Sequence, residues 1–204
     1  MLKGRQKMSK ADVAAERKDQ IVKATVECIT KFGYHNFSMQ DVARAAGVSK
    51  GIIHYYFLNK DDLMMSVLAK VAGDIEDALH KVMIDSDNPE KRLRIFMEVV
   101  FDVVIKSREY YQVNMDFWTQ INQKEEIREI IATHYQKFRE TAQKVVEEGM
   151  SKGDFKKMDS FDIAAYIIGA IDGLSLQYLF DPRAFDYEKM ATNTIEMIIG
   201  SLKS

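Results

Sequence analysis

Only two prolines, Pro89 and Pro182, interrupt a chain of 204 residues in which apolar side chains recur every three or four positions. Proline removes a helix hydrogen bond and clashes with the preceding turn, so a chain with so little of it can run in long helices. Ten glycines complete a breaker content too low for the many tight turns of a β-sandwich. No pair of alternating segments carries hairpin turn chemistry, and there is no internal repeat or low-complexity tract. The expected architecture is all-α, with about nine helices, three of them very short.

Composition narrows the class. With 47% hydrophobic and 29% charged residues the chain reads as globular, long enough for one or two domains. A single cysteine, Cys28, excludes an internal disulfide framework and a cysteine-rich zinc site, and fits a reducing compartment. The segment Met1 to Arg17 is polar and basic, without the apolar core of a secretory signal, and no run of about 18 apolar residues predicts a membrane helix. A cytoplasmic location is expected. The net charge of −2 conceals an asymmetry: residues 1–60 hold eleven Lys/Arg against five Asp/Glu, and residues 61–204 hold eighteen against twenty-six. A basic head on an acidic body predicts that only the head meets a polyanion.

Stop and start signals divide the chain. Ile21, Ala24, Cys28, Ile29 and Phe32 share one face of a helix from about Glu16 that Gly33 ends. Ser38, with Asp41 three residues on, forms a capping-box pattern opening a short helix that Gly47 closes. Ser49 caps a third, Lys50 to about Tyr56, and Asn59 a fourth that runs to about Met83 with Asp61 and Asp62 in its first turn. Asn88-Pro89 reads as an N-cap and first helical position. Further helices are expected over Leu93 to Ile105, around Glu109 to Gln120, and over Lys124 to Gly149, Asp159 to Leu179 and Tyr187 to Leu202.

Residues 38 to 60 carry the functional signal. Two short helices joined by Gly47-Val48, apolar on their inner faces, make a helix-turn-helix whose first helix braces the second for the DNA major groove. On the second helix Ile53 and Phe57 are spaced to point inward, leaving Lys50, Gly51, Ile52, His54, Tyr55 and Tyr56 outward. Hydroxyls, a lysine and helix N-terminal amides can all bond phosphate oxygens.

Here the chain resembles the tetracycline-repressor (TetR) family of bacterial transcriptional regulators. The resemblance rests on Phe37 to Leu63, FSMQDVARAAGVSKGIIHYYFLNKDDL, with the preceding KFGYHNF, about the first quarter of the chain. It implies that Lys50, Gly51, Ile52, His54, Tyr55 and Tyr56 face DNA, that Ser38, Gln40 and Ser49 assist from the helix starts, and that Lys60 takes a phosphate. Ile52 departs from the threonine that many relatives carry, and His54 from a common tyrosine, so Ile52 reads a thymine methyl or nothing. The basic arm, Lys3, Arg5, Lys7 and Lys10, either enters a minor groove or is a solvated tail. The implied division is a basic arm and DNA-binding domain over 1–62 and a helical ligand-binding and dimerisation domain over 63–204.

The body offers compositional candidates. Phe96, Met97, Phe101, Tyr110, Tyr111, Met115, Phe117 and Trp118 concentrate large flexible and aromatic side chains, with Asn114 as a polar neighbour. They are either ordinary core or the wall of a pocket for a small lipophilic effector, as the resemblance implies. In the last two helices, Tyr166, Ile167, Gly169, Ala170, Gly173 and Leu174 with Ile195, Ile198 and Ile199 form an apolar band wider than one core face, expected to pair two copies in a homodimer. The reading is a ligand-responsive regulator, a repressor released from a near-palindromic operator; an activator of the same fold and a protein-binding helical adaptor are the alternatives. No cofactor, metal site or enzyme activity is expected: none of the four histidines completes the paired Glu-x-x-His of a di-metal bundle, and no nucleophile elbow or P-loop occurs.

Overall fold

The computed structural model describes residues 9–33, 35–83, 86–106, 115, 118 and 124–203. Among them are eight helices: α1 Lys10–Phe32, α2 Met39–Ala45, α3 Lys50–Tyr56, α4 Lys60–Met83, α5 Pro89–Lys106, α6 Glu125–Lys152, α7 Ser160–Phe180 and α8 Tyr187–Leu202. The expected helix over 109–120 falls outside the described residues except for Met115 and Trp118, both helical. Two compact units form: Met1–Val71 with Gln112–Ile127, and Ala72–Tyr111 with Arg128–Ser204. The chain passes from the first to the second within α4.

The first unit packs α1, α2, α3 and the start of α4 around Ile21, Ile29, Val42, Ile53, Phe57 and Leu63, all but excluded from solvent. Its short helices contribute few buried residues each, and their ends are closed by side chains. Ser38 accepts from the Asp41 amide while Asp41 reaches back to Ser38, the capping box read from sequence. The same device starts α1 earlier than expected: Ser9 and Asp12 form a second capping box, and the helix begins at Lys10 rather than near Glu16. At the α2–α3 turn, the Val48 amide bonds the Ala43 carbonyl at 2.9 Å and the Gly47 amide bonds that of Arg44 at 3.2 Å, with Gly47 at φ 64°. This six-to-one and five-to-two pairing needs a left-handed residue. Glycine is there for its φ, since a Cβ at Gly47 would meet nothing within 4 Å.

The second unit is a bundle of the end of α4 with α5, α6, α7 and α8. Leu93, Phe96, Met97, Phe101, Ala142, Val145, Ile167, Ile171 and Ile199 form its core. Asn88 caps α5 by accepting from the Lys91 amide at 3.0 Å, with Pro89 first in the helix. Where α6 ends, the Phe155 ring lies against Gly149 so closely that a Cβ there would stand 2.1 Å from it. The Lys156 amide then bonds the Leu202 carbonyl at 2.8 Å, fastening the turn to the end of α8. Helix α7 is long and apolar enough to cross a bilayer by length and composition, although Asp162 and Asp172 bound its uninterrupted apolar stretch at Ile163 and Ile171. Its apolar residues extend beyond its buried face, leaving Phe161, Tyr166 and Phe180 exposed.

Candidate functional site

Helix α3 presents its outer side to solvent. Ile53 and Phe57 are buried, at 0% and 1% exposure, so the helix is held by two inward side chains and braced by α2. Lys50, Gly51, Ile52, His54 and Tyr55 are exposed and Tyr56 is half-buried. Tyr55, at 82% exposure, stands edge-on to Tyr56 with ring centres 5.0 Å apart. Ser49 caps the helix from its start, its hydroxyl accepting from the Ile52 amide. Ser38 and Gln40 are exposed at the start of α2. The helix therefore offers phosphate-binding groups at its N-terminus and a mixed aromatic and polar face beyond it, which suits a groove.

Lys60 has an internal employment that spacing did not reveal. Its amine donates to the Phe37 carbonyl at 2.9 Å and lies over the Phe37 ring, 3.9 Å from its centre. A longer contact reaches the His35 carbonyl at 3.5 Å. Burial lowers its pKa from the usual lysine value. The side chain thus ties the start of α4 to the segment that leads into α2. Leu58, in the turn after α3, is 86% exposed and was not singled out from sequence.

The body candidates separate by burial. Phe96 and Met97 are fully buried and Phe101 nearly so, in the core of the bundle. Phe101 also reaches a groove of about 280 Å³ between α5 and α8, bordered by Glu98, Asp102, Glu188 and Thr192. Met115 and Trp118 are half-buried. Tyr110, Tyr111, Asn114 and Phe117 lie outside the described residues.

The candidate pairing surface divides in the same way. Tyr166 and Gly169 are exposed, and Ala170, Gly173 and Leu174 are half-buried. They line a shallow groove of about 450 Å³ with Gln177, Thr194, Met197, Ile198 and Ser201. Ile167, Ile195 and Ile199 are instead buried inside the protomer, and Ile198, 4% exposed, borders the groove from below. Met197, 72% exposed, belongs to the uncovered surface. A helical period of 3.6 gives neighbouring stripes, and sequence alone does not say which one the protomer covers.

Two family models match the chain. The model of bacterial regulatory proteins of the tetR family covers residues 21–67, and that of the BetI-type transcriptional repressor C-terminal part covers residues 89–200, more than half of the chain. The chain belongs to the TetR family. Its function is that of the family, a DNA-binding transcriptional regulator responsive to a small-molecule ligand. The fatty acid metabolism regulator protein of Bacillus subtilis is 22% identical over 187 residues, covering 90% of this chain and 94% of the relative. Among solved structures, a transcriptional regulator from Saccharomonospora viridis in complex with choline shares the fold with a TM-score of 0.84 at 23% identity, covering 93% of this chain and 99% of that one. The regulator FadR of Bacillus subtilis, in complex with stearoyl-CoA, shares it with a TM-score of 0.77 at 21% identity, covering 90% and 98%.

Within this TetR-family fold one group escaped the sequence reading as a site candidate. Asp172 of α7 is half-buried, and the Tyr135 hydroxyl of α6 donates to it. Burial pushes its pKa up to about 6, against which the Tyr135 hydrogen bond pulls only partly. The signal was present in the sequence: Ile171-Asp172-Gly173-Leu174 sets a carboxylate in the most apolar helix of the chain.

Proposed function

We propose that the protein is a cytoplasmic homodimeric repressor, without enzyme activity, that leaves a near-palindromic operator when a small, largely hydrophobic effector binds. The observation that carries this reading is the outer side of α3, where Lys50, Ile52, His54 and Tyr55 stand exposed on a helix fixed from within by Ile53 and Phe57. In this reading residues 1–62 are the DNA-binding domain and 63–204 the ligand-binding and dimerisation domain. Lys50, Gly51, Ile52, His54, Tyr55 and Tyr56 enter the major groove, with Ser38, Gln40 and Ser49 at its phosphates. Lys60 supports this face through the Phe37 carbonyl, and meets a phosphate only if it leaves that bond.

The uncovered stripe of Tyr166, Gly169, Ala170, Gly173, Leu174 and Met197 pairs two copies, glycines allowing the backbones to approach. Nothing lies within 4 Å of a Cβ built at Gly169 or Gly173, so this close approach is open to a partner. Repression is supported by the BetI-type repressor model over the body. Effector chemistry is left between two classes by the relatives, one solved with choline and one with stearoyl-CoA. Whichever it is, the effector acts only if it binds the DNA-free state better. Helix α4, which belongs to both compact units, is the continuous element through which such a preference reaches the head.

Footprinting on the DNA upstream of its own gene tests the reading. It predicts two protected half-sites about 34–36 Å apart, one helical turn, with two chains bound. A single protected half-site occupied by one chain would contradict it.

A further inference from the structure

The turn between α3 and α4 exposes an apolar side chain that the head leaves unused. Asn59 caps α4, its side-chain carbonyl accepting from the Asp62 amide at 2.9 Å, which makes Leu58 the residue just before the cap. An apolar residue at that position ordinarily packs on the fourth residue of the helix, here Leu63. In this turn it does not. Leu63 is fully buried, whereas Leu58 stands 86% exposed, the most exposed of the large apolar side chains among the described residues. The inward place is taken by its neighbour Phe57, so Leu58 adds nothing to the core of the head.

The backbone fixes this exposure. The Leu58 amide donates to the Asp62 carboxylate at 3.0 Å, and the Phe57 amide donates to the Ile53 carbonyl at 2.9 Å. On the other side of the turn, the Lys60 amine is bonded to the Phe37 carbonyl. A side chain on a turn held from both ends has no route inward, and Leu58 stays in water until something outside the protomer covers it.

Its neighbours say what that is. Tyr55, three residues earlier, and Ile52, three before that, are also exposed, so the uncovered apolar groups run from the groove-facing side of α3 into the turn. The last carbonyls of a helix carry partial negative charge and repel phosphate, so the backbone of DNA is not the group that this end of α3 attracts. Within the major groove, the apolar group that DNA offers is the C5-methyl of thymine. A cytosine at the same place lacks the methyl and presents an amine that leucine cannot satisfy.

We propose that Leu58 is a base-reading residue, which selects thymine at one position of each half-site by covering its C5-methyl. This rests on the reading of α3 as the groove helix and extends the sequence-reading surface beyond that helix into the turn that follows it.

The test starts from operators selected by the full-length chain out of a pool of random duplexes. Each thymine of one half-site is then replaced in turn by deoxyuridine, which removes the methyl group and keeps the base pairing. Binding is compared between wild type, Leu58→Ala and, as a neighbouring control, Ile52→Ala. At one thymine the replacement should weaken wild type by about fourfold, the effect of one methyl group returned to water. The same replacement should leave Leu58→Ala unchanged and still weaken Ile52→Ala. Random duplex should bind Leu58→Ala as it binds wild type, and the two proteins should melt together, because the side chain packs against nothing in the head. Deoxyuridine losses that are the same in wild type and Leu58→Ala at every thymine would overturn the assignment. So would an equal loss of affinity for random duplex, which would place Leu58 on a sugar, or a melting temperature lowered by several degrees, which would give it a packing role. Failure of wild type to select any sequence would instead strike the reading of α3 itself.

Discussion

Helices α3 and α7 each leave one side uncovered, and the two sides differ in chemistry. That of α3 carries Lys50, His54 and Tyr55, groups that stay hydrated until a phosphate or a base replaces water. That of α7 carries Phe161, Tyr166, Gly169 and Phe180, which water covers at a cost. The polar side suits a partner that comes and goes with salt. The apolar side suits one that stays. Both follow from how each helix is held: α3, seven residues long, is fixed by Ile53 and its caps, whereas α7 buries Ala164, Ile167, Ile168, Ile171 and Ser175 and still has apolar surface left over.

The comparison breaks most visibly if the α7 surface is charged. Gly169→Glu adds a carboxylate where nothing in the protomer lies within 4 Å, so the single chain should keep its helix content. Light scattering should then report monomers, and operator affinity should fall by on the order of 100-fold or more as the paired heads become independent. A dimer of unchanged affinity would move the pairing surface elsewhere.

The next largest effect lies inside the bundle. Phe96→Ala should cost about 3–5 kcal/mol, the loss for a fully buried phenylalanine, measured by denaturant unfolding. A loss below about 1 kcal/mol would mark a side chain already facing empty space, and make Phe96 part of a pocket wall.

Asp172 sharpens the contrast through pH. Its pKa is raised from 3.8 to about 6, so the folded state is penalised wherever the group is ionised. The penalty is complete above pH 6, fades as the pH falls from about 6 towards 3.8, and is absent below. Without effector, Asp172→Asn should therefore melt above wild type at pH 8 by a margin equivalent to about 2–3 kcal/mol, narrowing as the solution is acidified below 6. A margin that does not vary with pH would mean that the carboxylate is solvated.

Lys60→Ala has the smallest expected effect. With the amine bonded to the Phe37 carbonyl, the head should lose about 1–2 kcal/mol of stability while the salt dependence of DNA binding keeps its slope. A slope reduced by about 1 would instead give the amine to a phosphate.

The sequence was most informative where structure is local. Ser38 with Asp41, Asn88 with Pro89, and Gly47 announce helix ends because the chemistry of capping and of positive φ acts between neighbours. The inward Ile53 and Phe57 follow from spacing on a short helix with only one buried side. The same local signal, Ser9 with Asp12, marks the true start of α1, which apolar spacing alone put later because its first turns face water. In the body the informative contacts are distant. Nothing near Ile167 or Ile199 in sequence tells that they are covered by their own protomer while Tyr166 and Met197 are not. Phe96 and Met97 have the composition of a pocket wall and the burial of a core, and composition cannot separate the two. Lys60 likewise needed the fold, since Phe37 lies twenty-three residues away.

The central claim, that the exposed side of α3 makes this chain a sequence-reading DNA-binding protein, is tested most directly by titrating the purified protein against its own upstream DNA and against random duplex across a salt series. The account predicts tight binding to the upstream DNA, weaker binding to random duplex by roughly 1,000-fold or more, and a steep loss of affinity with salt for both. Equal, weak and salt-insensitive binding to the two duplexes would contradict it.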